Sequence, residues 1–240
     1  MYKIGEISSI TGVKAGTVRF YEKCGFLEEI QRLPNGYRIY NDHHVFQIRV
    51  CDIVFDSFVN SRLRKLSMKL IRAAQAWDEV SFGCALKEYR DAVITEINRT
   101  KRAIELALEW NFDDADDGTV YTKKQAADLV GTTPEAIRNW ERNGLIPKQE
   151  AYRKRYYTQS IIERMYVIRL LLDTGYSIMA ILKFLNKMDG GKKAEAKKEL
   201  TDPESGDLQS RADFYLKALG KIRDDTGKIE NLASAHHLLI

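Results

Sequence analysis

The sequence predicts a mainly α-helical chain that contains one compact unit twice, each copy followed by a long amphipathic helix. Three observations carry this reading. Tyr2 to Leu27 overlays Tyr121 to Ile146 without a gap, so that Tyr2, Gly12, Arg19, Glu22 and Gly25 meet Tyr121, Gly131, Arg138, Glu141 and Gly144. Apolar positions coincide as well: Ile7 meets Ala126, Ile10 meets Leu129, Val18 meets Ile137 and Tyr21 meets Trp140. Finally, Leu86 to Trp110 and Leu208 to Leu232 each place apolar residues on one helical stripe with charges elsewhere. A repeat of this length is a duplicated domain, not a solenoid turn or a low-complexity tract.

Within the first copy, Ile7 and Ile10 share a face of a short helix over Glu6 to Ile10, which Gly12 ends. A second helix follows over roughly Lys14 to Cys24, with Val18 and Tyr21 turned inward and Gly25 as its stop. In the second copy that helix opens with Thr133 as N-cap and Pro134 at the first helical position, and stops at Gly144. Two short helices joined by a tight glycine turn outline a helix-turn-helix. Glu29 to Leu33 and Tyr37 to Tyr40 flank Pro34-Asn35-Gly36, a turn signal that predicts a small hairpin. A third helix starts near Asn41 or Asp42. Gln149 to Tyr157 is the corresponding stretch of the second copy, followed by a helix from Thr158 through Asp173. Helix, turn, helix, hairpin and helix make a winged helix-turn-helix.

At this level the residues resemble a known family. TVRFYEKCGFL (Thr17 to Leu27) and NGYRIY (Asn35 to Tyr40) are similar to the DNA-binding head of MerR-type regulators, the mercury-resistance-regulator family. AIRNWERNGLI (Ala136 to Ile146) with RYY (Arg155 to Tyr157) is a looser copy: Asn139 replaces an aromatic and Arg153 stands at the wing glycine position. LLDTGYSIMAILKFL (Leu171 to Leu185) resembles the family's next two helices more closely than Val54 to Leu66 does. The resemblance covers about half the chain.

The expected organisation is a first head over 1–75, an amphipathic dimerisation-type helix over 76–111, an acidic linker over 112–119, a second head over 120–189, and a connector with a C-terminal amphipathic helix over 190–240. The acidic linker fails as a calcium loop, because counting from Asp113 the third position is Ala115 and the twelfth is Lys124. Gly190 to Asp207 reads as a polar connector.

The net charge of +4 permits a nucleic-acid partner without requiring one, so the placement of charge has to decide. Arg19 and Arg138 stand at the same point of the second helix of each copy, and the resemblance implies that they hold an operator backbone. Tyr21 and Trp140 suit either a phosphate or sugar contact or the small core of the head. Arg32, Tyr37, Arg38 and Tyr40 in the first wing, and Lys148, Tyr152, Arg153, Lys154, Arg155, Tyr156 and Tyr157 in the second, interleave cations with aromatics along a sugar-phosphate chain. Lys14, Gly16, Thr17, Phe20 and Lys23 oppose Thr133, Glu135, Ala136, Asn139 and Arg142, so the two heads carry different reading residues. An asymmetric operator follows as an expectation.

Other functions find less support. Cys24, Cys51 and Cys84 form no CxxC or cysteine-histidine cluster, and Cys84 reads as a buried structural thiol. The pairs His43-His44 and His236-His237 receive no role. Neither a glycine-rich phosphate loop nor a nucleophile elbow nor a catalytic carboxylate pair is recognisable, so no enzyme, catalytic residue, metal or cofactor is expected. The N-terminus lacks the order of a signal peptide, no apolar run reaches membrane-spanning length, and the odd cysteine count fits a cytoplasmic protein without a membrane partner. The resemblance implies promoter distortion, RNA polymerase as a partner and room for a small-molecule effector. The leading arrangement is a single-chain pseudo-dimer in which Leu86 to Trp110 packs antiparallel on Leu208 to Leu232; a four-headed homodimer is the alternative. Two further classes stay open: a resistance protein sequestering an aromatic drug against Trp77, Phe82 and Trp110, and an architectural protein like the excisionase relatives of this head.

Overall fold

The computed structural model describes residues 1–57, 60–110, 118–147, 156–201 and 206–238. It divides into two compact units, Met1–Ile94 with Ala218–Ile240, and Thr95–Lys217. Most of each unit is helical, with two small antiparallel sheets in the whole described chain.

In the first unit, α1 (Ile4–Thr11) ends at Gly12, whose φ of 77° is the left-handed value that glycine adopts without strain. The following α2 (Ala15–Lys23) buries Val18 and Tyr21. A hairpin of β1 (Gln31–Arg32) and β2 (Arg38–Ile39) pairs Gln31 with Ile39 and Arg32 with Arg38. Its turn closes through Gly36 N–H donating to Leu33 O at 2.8 Å, while Asn35 Oδ1 accepts from Tyr37 N–H at 3.2 Å. Next comes α3 (Asp42–Phe55), capped by Asn41, whose side chain accepts from His44 N–H. The wing is tied back to the start of the chain by a bridge between Tyr2 and Tyr40. Asn60 caps α4 (Ser61–Ala76), which buries Leu63, Leu70, Ile71 and Ala74. Among α1 to α4 the core gathers Ile7, Val18, Tyr40, Phe46, Ile48 and Val50.

Two long helices each begin in one unit and end in the other: α5 (Glu79–Glu109) and α11 (Leu208–Ala235). A buried seam of α5 runs Phe82, Leu86, Tyr89, Val93, Glu96, Thr100, Ala103 and Ala107, alternating steps of four and three, with Ala85 and Leu106 buried beside it. Of the apolar stripe expected over Leu86 to Trp110, Leu86 and Val93 lie on this seam, Ile97 is half-buried, and Ile104 packs half-buried against Ala103, Leu170 and Ala212. Leu108 is 51% exposed. The seam instead carries Glu96 and Thr100, polar residues that apolar periodicity passes over. On α11 the seam is Ala212, Tyr215, Leu219, Ile222, Thr226, Ile229 and Ala233; of the apolar stripe expected over Leu208 to Leu232, Leu208 and Leu232 are only half-buried. Within the first unit the two helices meet through Arg90 and Glu230 at 3.0 Å. In the second, Tyr215 donates to Glu96 at 3.4 Å.

The second unit repeats the first. A short strand, β3 (Val120–Thr122), precedes α6 (Lys123–Val130), which Thr122 and Gln125 cap reciprocally. Gly131 ends α6 with φ of 79°, and α7 (Pro134–Arg142) starts from the Thr133 cap, its hydroxyl accepting from Ala136 N–H at 3.1 Å. The next described strand, β4 (Tyr156–Thr158), pairs with β3 and sets Tyr121 opposite Tyr157, as Tyr2 stands opposite Tyr40 in the first copy. Most of the expected second hairpin, Gln149 to Arg155, lies outside the described residues, as does most of the acidic linker. Two helices, α8 (Gln159–Asp173) and α9 (Ile178–Asp189), complete the head. The expected polar connector contains a further helix, α10 (Lys193–Glu199), because Ala196 and Leu200 are apolar enough to dock on the core around Phe184 and Leu185.

The repetition extends to single struts. Tyr2 hydroxyl donates to Asp42 at 2.7 Å, and Tyr121 hydroxyl to Gln159 at 3.2 Å. Arg49 caps the end of α1 by donating to Ile10 O at 2.9 Å; Tyr166 does the same for α6 at Leu129 O, 3.0 Å. Different side chains fill one structural role.

Candidate nucleic-acid interface

In the first unit, α2 owes its orientation to Val18 and Tyr21, which anchor one face. Tyr21 packs beside Phe55 and Phe26 with ring centroids 5.7 Å and 6.3 Å away, and burial raises its phenol far above the ordinary value. The opposite face therefore points outward, carrying Gly16, Arg19, Phe20 and Lys23, all exposed, with Lys14 exposed just ahead and Thr17 half-buried at the flank. Glu22 clasps the wing: Arg38 Nε donates to it at 2.7 Å and Arg32 approaches at 3.6 Å. The Glu22 hydrogen bond raises the Arg38 guanidinium above its usual value. Tyr37 stands 68% exposed at the wing tip.

These elements enclose an open cleft of about 810 Å³ lined by Lys3 and the first turn of α1 to Glu6, Arg19 of α2, and Asn35 to Arg38 of the wing. Arg19, Tyr37 and Arg38, expected from sequence to face DNA, thus share one concavity. Lys3, beside Tyr2 at the start of the repeat, lines the same cleft, which no local sequence signal indicates. Tyr40 is corrected: it is fully buried, its ring edge-on to His44 at 5.6 Å, and it fills the joint between wing and α3. Tyr21 likewise belongs to the core.

In the second unit, Ile137, Trp140 and Glu141 face inward on α7, while Glu135, Arg138, Asn139 and Arg142 are exposed and Thr133 serves as the cap. Trp140, only 3% exposed, is corrected to a core residue. Tyr157 is also buried, and its hydroxyl donates to Glu141 at 2.7 Å. Lys123 completes the clasp on Glu141 at 2.9 Å. So the carboxylate shared by the repeat, Glu22 or Glu141, pins the recognition helix to its neighbours in both heads. Glu135 and Arg138 form a surface pair at 3.6 Å, and Asn143 Nδ2 donates to Asn139 Oδ1 at 3.0 Å. Lys148, Arg153, Lys154 and Arg155 lie outside the described residues.

The remaining candidates take other places. Cys84 is exposed, not buried as expected, because its position on α5 falls between the seam residues Phe82 and Leu86 and their outward neighbours. Burial pushes the Cys51 thiol up to about 12, and Cys24 is exposed beyond α2. Among the described residues no group of three or more histidine, cysteine or acidic side chains is arranged to hold a metal ion. Phe82 packs on Phe46 at 5.4 Å and Trp110 on Phe184 at 5.3 Å, so both fill cores; Trp77 stacks on His43 at 3.6 Å. No described helix is long and apolar enough to cross a membrane.

Comparison with known proteins agrees with this geometry. Residues 3–40 match a family model described as MerR family regulatory protein, and residues 121–188 match one described as MerR HTH family regulatory protein. The mercuric resistance operon regulatory protein of Bacillus cereus is 31% identical over 118 residues, covering 48% of this chain and 77% of the relative. No solved structure is a significant match.

Proposed function

The chain belongs to the MerR family of regulatory proteins, and from that premise we propose that this DNA-binding transcription regulator reads two unlike half-sites with its two heads. One observation carries the proposal. Both recognition helices are anchored alike, by Val18 and Tyr21 or by Ile137 and Trp140, yet their outward residues differ at almost every matching position. Like scaffolds with unlike reading faces favour an operator that departs from a palindrome. Pairing of α5 with α11 inside one chain, at Arg90–Glu230 and at Glu96–Tyr215, supports a single-chain pseudo-dimer. Distortion of promoter DNA ahead of RNA polymerase is taken from the family, and would enter as deformation energy of the duplex. The relative's name refers to mercuric resistance. Here the described thiols form no metal-holding group, so we propose no mercury-sensing role.

Arg19 and Arg138 are the phosphate-holding candidates, both exposed on the outward faces. Changing either to alanine is expected to weaken binding to every sequence alike and to flatten the salt dependence by about one unit of slope. Fluorescence anisotropy across a salt series measures both effects. Unaltered affinity in both variants would refute the assignment. Light scattering is expected to give 27.6 kDa for a pseudo-dimeric monomer; twice that mass at low concentration would exclude it.

A further inference from the structure

Resting on the DNA-binding reading above, we propose that Phe20 on α2 reads a thymine methyl group and Asn139 on α7 reads an adenine, so that the two half-sites differ at the matching base. Phe20 and Asn139 occupy the same place in the repeat, one helical turn beyond Gly16 and Glu135. Phe20 is 57% exposed on the face opposite Val18 and Tyr21, flanked by the exposed cations Arg19 and Lys23. A lone exposed aromatic needs no explanation on an ordinary surface. On the outward stripe of a recognition helix it faces base edges. A benzyl side chain has no hydrogen bond to offer there, and the apolar feature of the major-groove edge is the methyl of thymine. Gly16 keeps the approach open: a Cβ added there would meet nothing within 4 Å.

Asn139 has the complementary chemistry. Asn143 Nδ2 donates to both Asn139 O and Asn139 Oδ1, at 2.8 and 3.0 Å, which holds the amide in one orientation. Oδ1 retains a second lone pair and Nδ2 retains its hydrogens. That is the acceptor–donor pair that adenine N6 and N7 require in the major groove. Glu135, exposed one turn earlier and paired with Arg138 at 3.6 Å, adds an acceptor that suits a cytosine amino group beside the adenine.

The test uses duplexes selected by the full-length chain from a random library. Each thymine in the enriched site is replaced singly by deoxyuridine, which removes only the methyl, and each adenine by 7-deazaadenine, which removes only the N7 acceptor. One deoxyuridine position is expected to weaken the natural protein about threefold to tenfold and to leave F20A unaffected. One 7-deazaadenine position, in the other half-site, is expected to weaken the natural protein similarly and to leave N139A unaffected. The exchange variant F20N is expected to shift the first half-site from thymine to adenine. If a site is enriched but no single replacement separates the natural protein from F20A or N139A, the base assignments fall while the DNA-binding reading stands. If no duplex is enriched, both fall together.

Discussion

Tyr40 and Tyr157 occupy the same place in the two copies, both buried at the entry to the third helix, yet their hydroxyls have different surroundings. The Tyr157 hydroxyl donates to Glu141 at 2.7 Å, whereas the buried Tyr40 hydroxyl has no hydrogen-bond partner among the described residues. An unpaired buried hydroxyl carries a desolvation penalty, so removing it costs little or helps. Tyr40→Phe is expected to leave stability unchanged or raise it slightly, while Tyr157→Phe lowers it by about 1–2 kcal/mol. Urea unfolding of the two variants checks the contrast; equal losses would contradict it. His44 is the other residue whose chemistry decides something. Its Nδ1 accepts from Asn41 N–H at 3.0 Å, completing the cap of α3, so the ring is neutral with its proton on buried Nε2. A protonated ring would turn that acceptor into a donor and break the cap. Burial lowers the pKa of the ring, helped by His43, and outweighs the Glu28 and Glu22 carboxylates, which favour the charged form.

The glycine turns show how one sequence signal conceals two structural demands. Gly12 and Gly131 align in the repeat and both sit at left-handed φ. A Cβ at Gly12 meets open space, whereas at Gly131 it would collide with the guanidinium groups of Arg99 and Arg169. Gly12→Ala is therefore expected to cost about 1 kcal/mol of backbone strain. Gly131→Ala costs that and more, about 2–4 kcal/mol, because both arginines cap the carbonyls that end α6. Thermal melts of the two variants decide it, and equal shifts would refute the difference. Helices, their glycine stops and the first hairpin were legible because each rests on local patterning. The outward arginines were legible from the repeat. Aromatics were not: Tyr21, Tyr40, Trp140 and Tyr157 suit a core or a backbone contact equally until packing turns them inward. The seam of α5 was half-read, since Glu96 enters it only because Arg169, distant in sequence, pairs with it there. Likewise α10 hid in a polar stretch, where two small or branched apolar residues, Ala196 and Leu200, carry its docking.

Titratable groups that folding desolvates give the two units opposite responses to acid. In the first, burial lowers the pKa of both His44 and His236 below 6.5, so the unfolded chain takes up protons first and stability falls as pH drops through that value. In the second, burial raises Asp173 to about 6, and the Glu96 carboxylate adds to that rise against the lowering pull of Arg169 and Tyr215. The folded chain then holds a proton that the unfolded chain has released, so stability rises as pH falls through 6. Between about pH 6.5 and about pH 5 the second unit is expected to gain about 1 kcal/mol while the first loses stability. Hydrogen exchange in α3 and α8, corrected for intrinsic rates, resolves the units separately. His44→Gln, which keeps a capping acceptor without titrating, should reduce the loss in α3; parallel responses in both units would disprove the scheme. The division of α5 and α11 between the units has a last consequence, for biosynthesis. The portion of the first unit contributed by Ala218–Ile240 leaves the ribosome after the whole second unit has been translated. The first unit, begun earliest, must therefore wait until Ala218–Ile240 has been made before it can close.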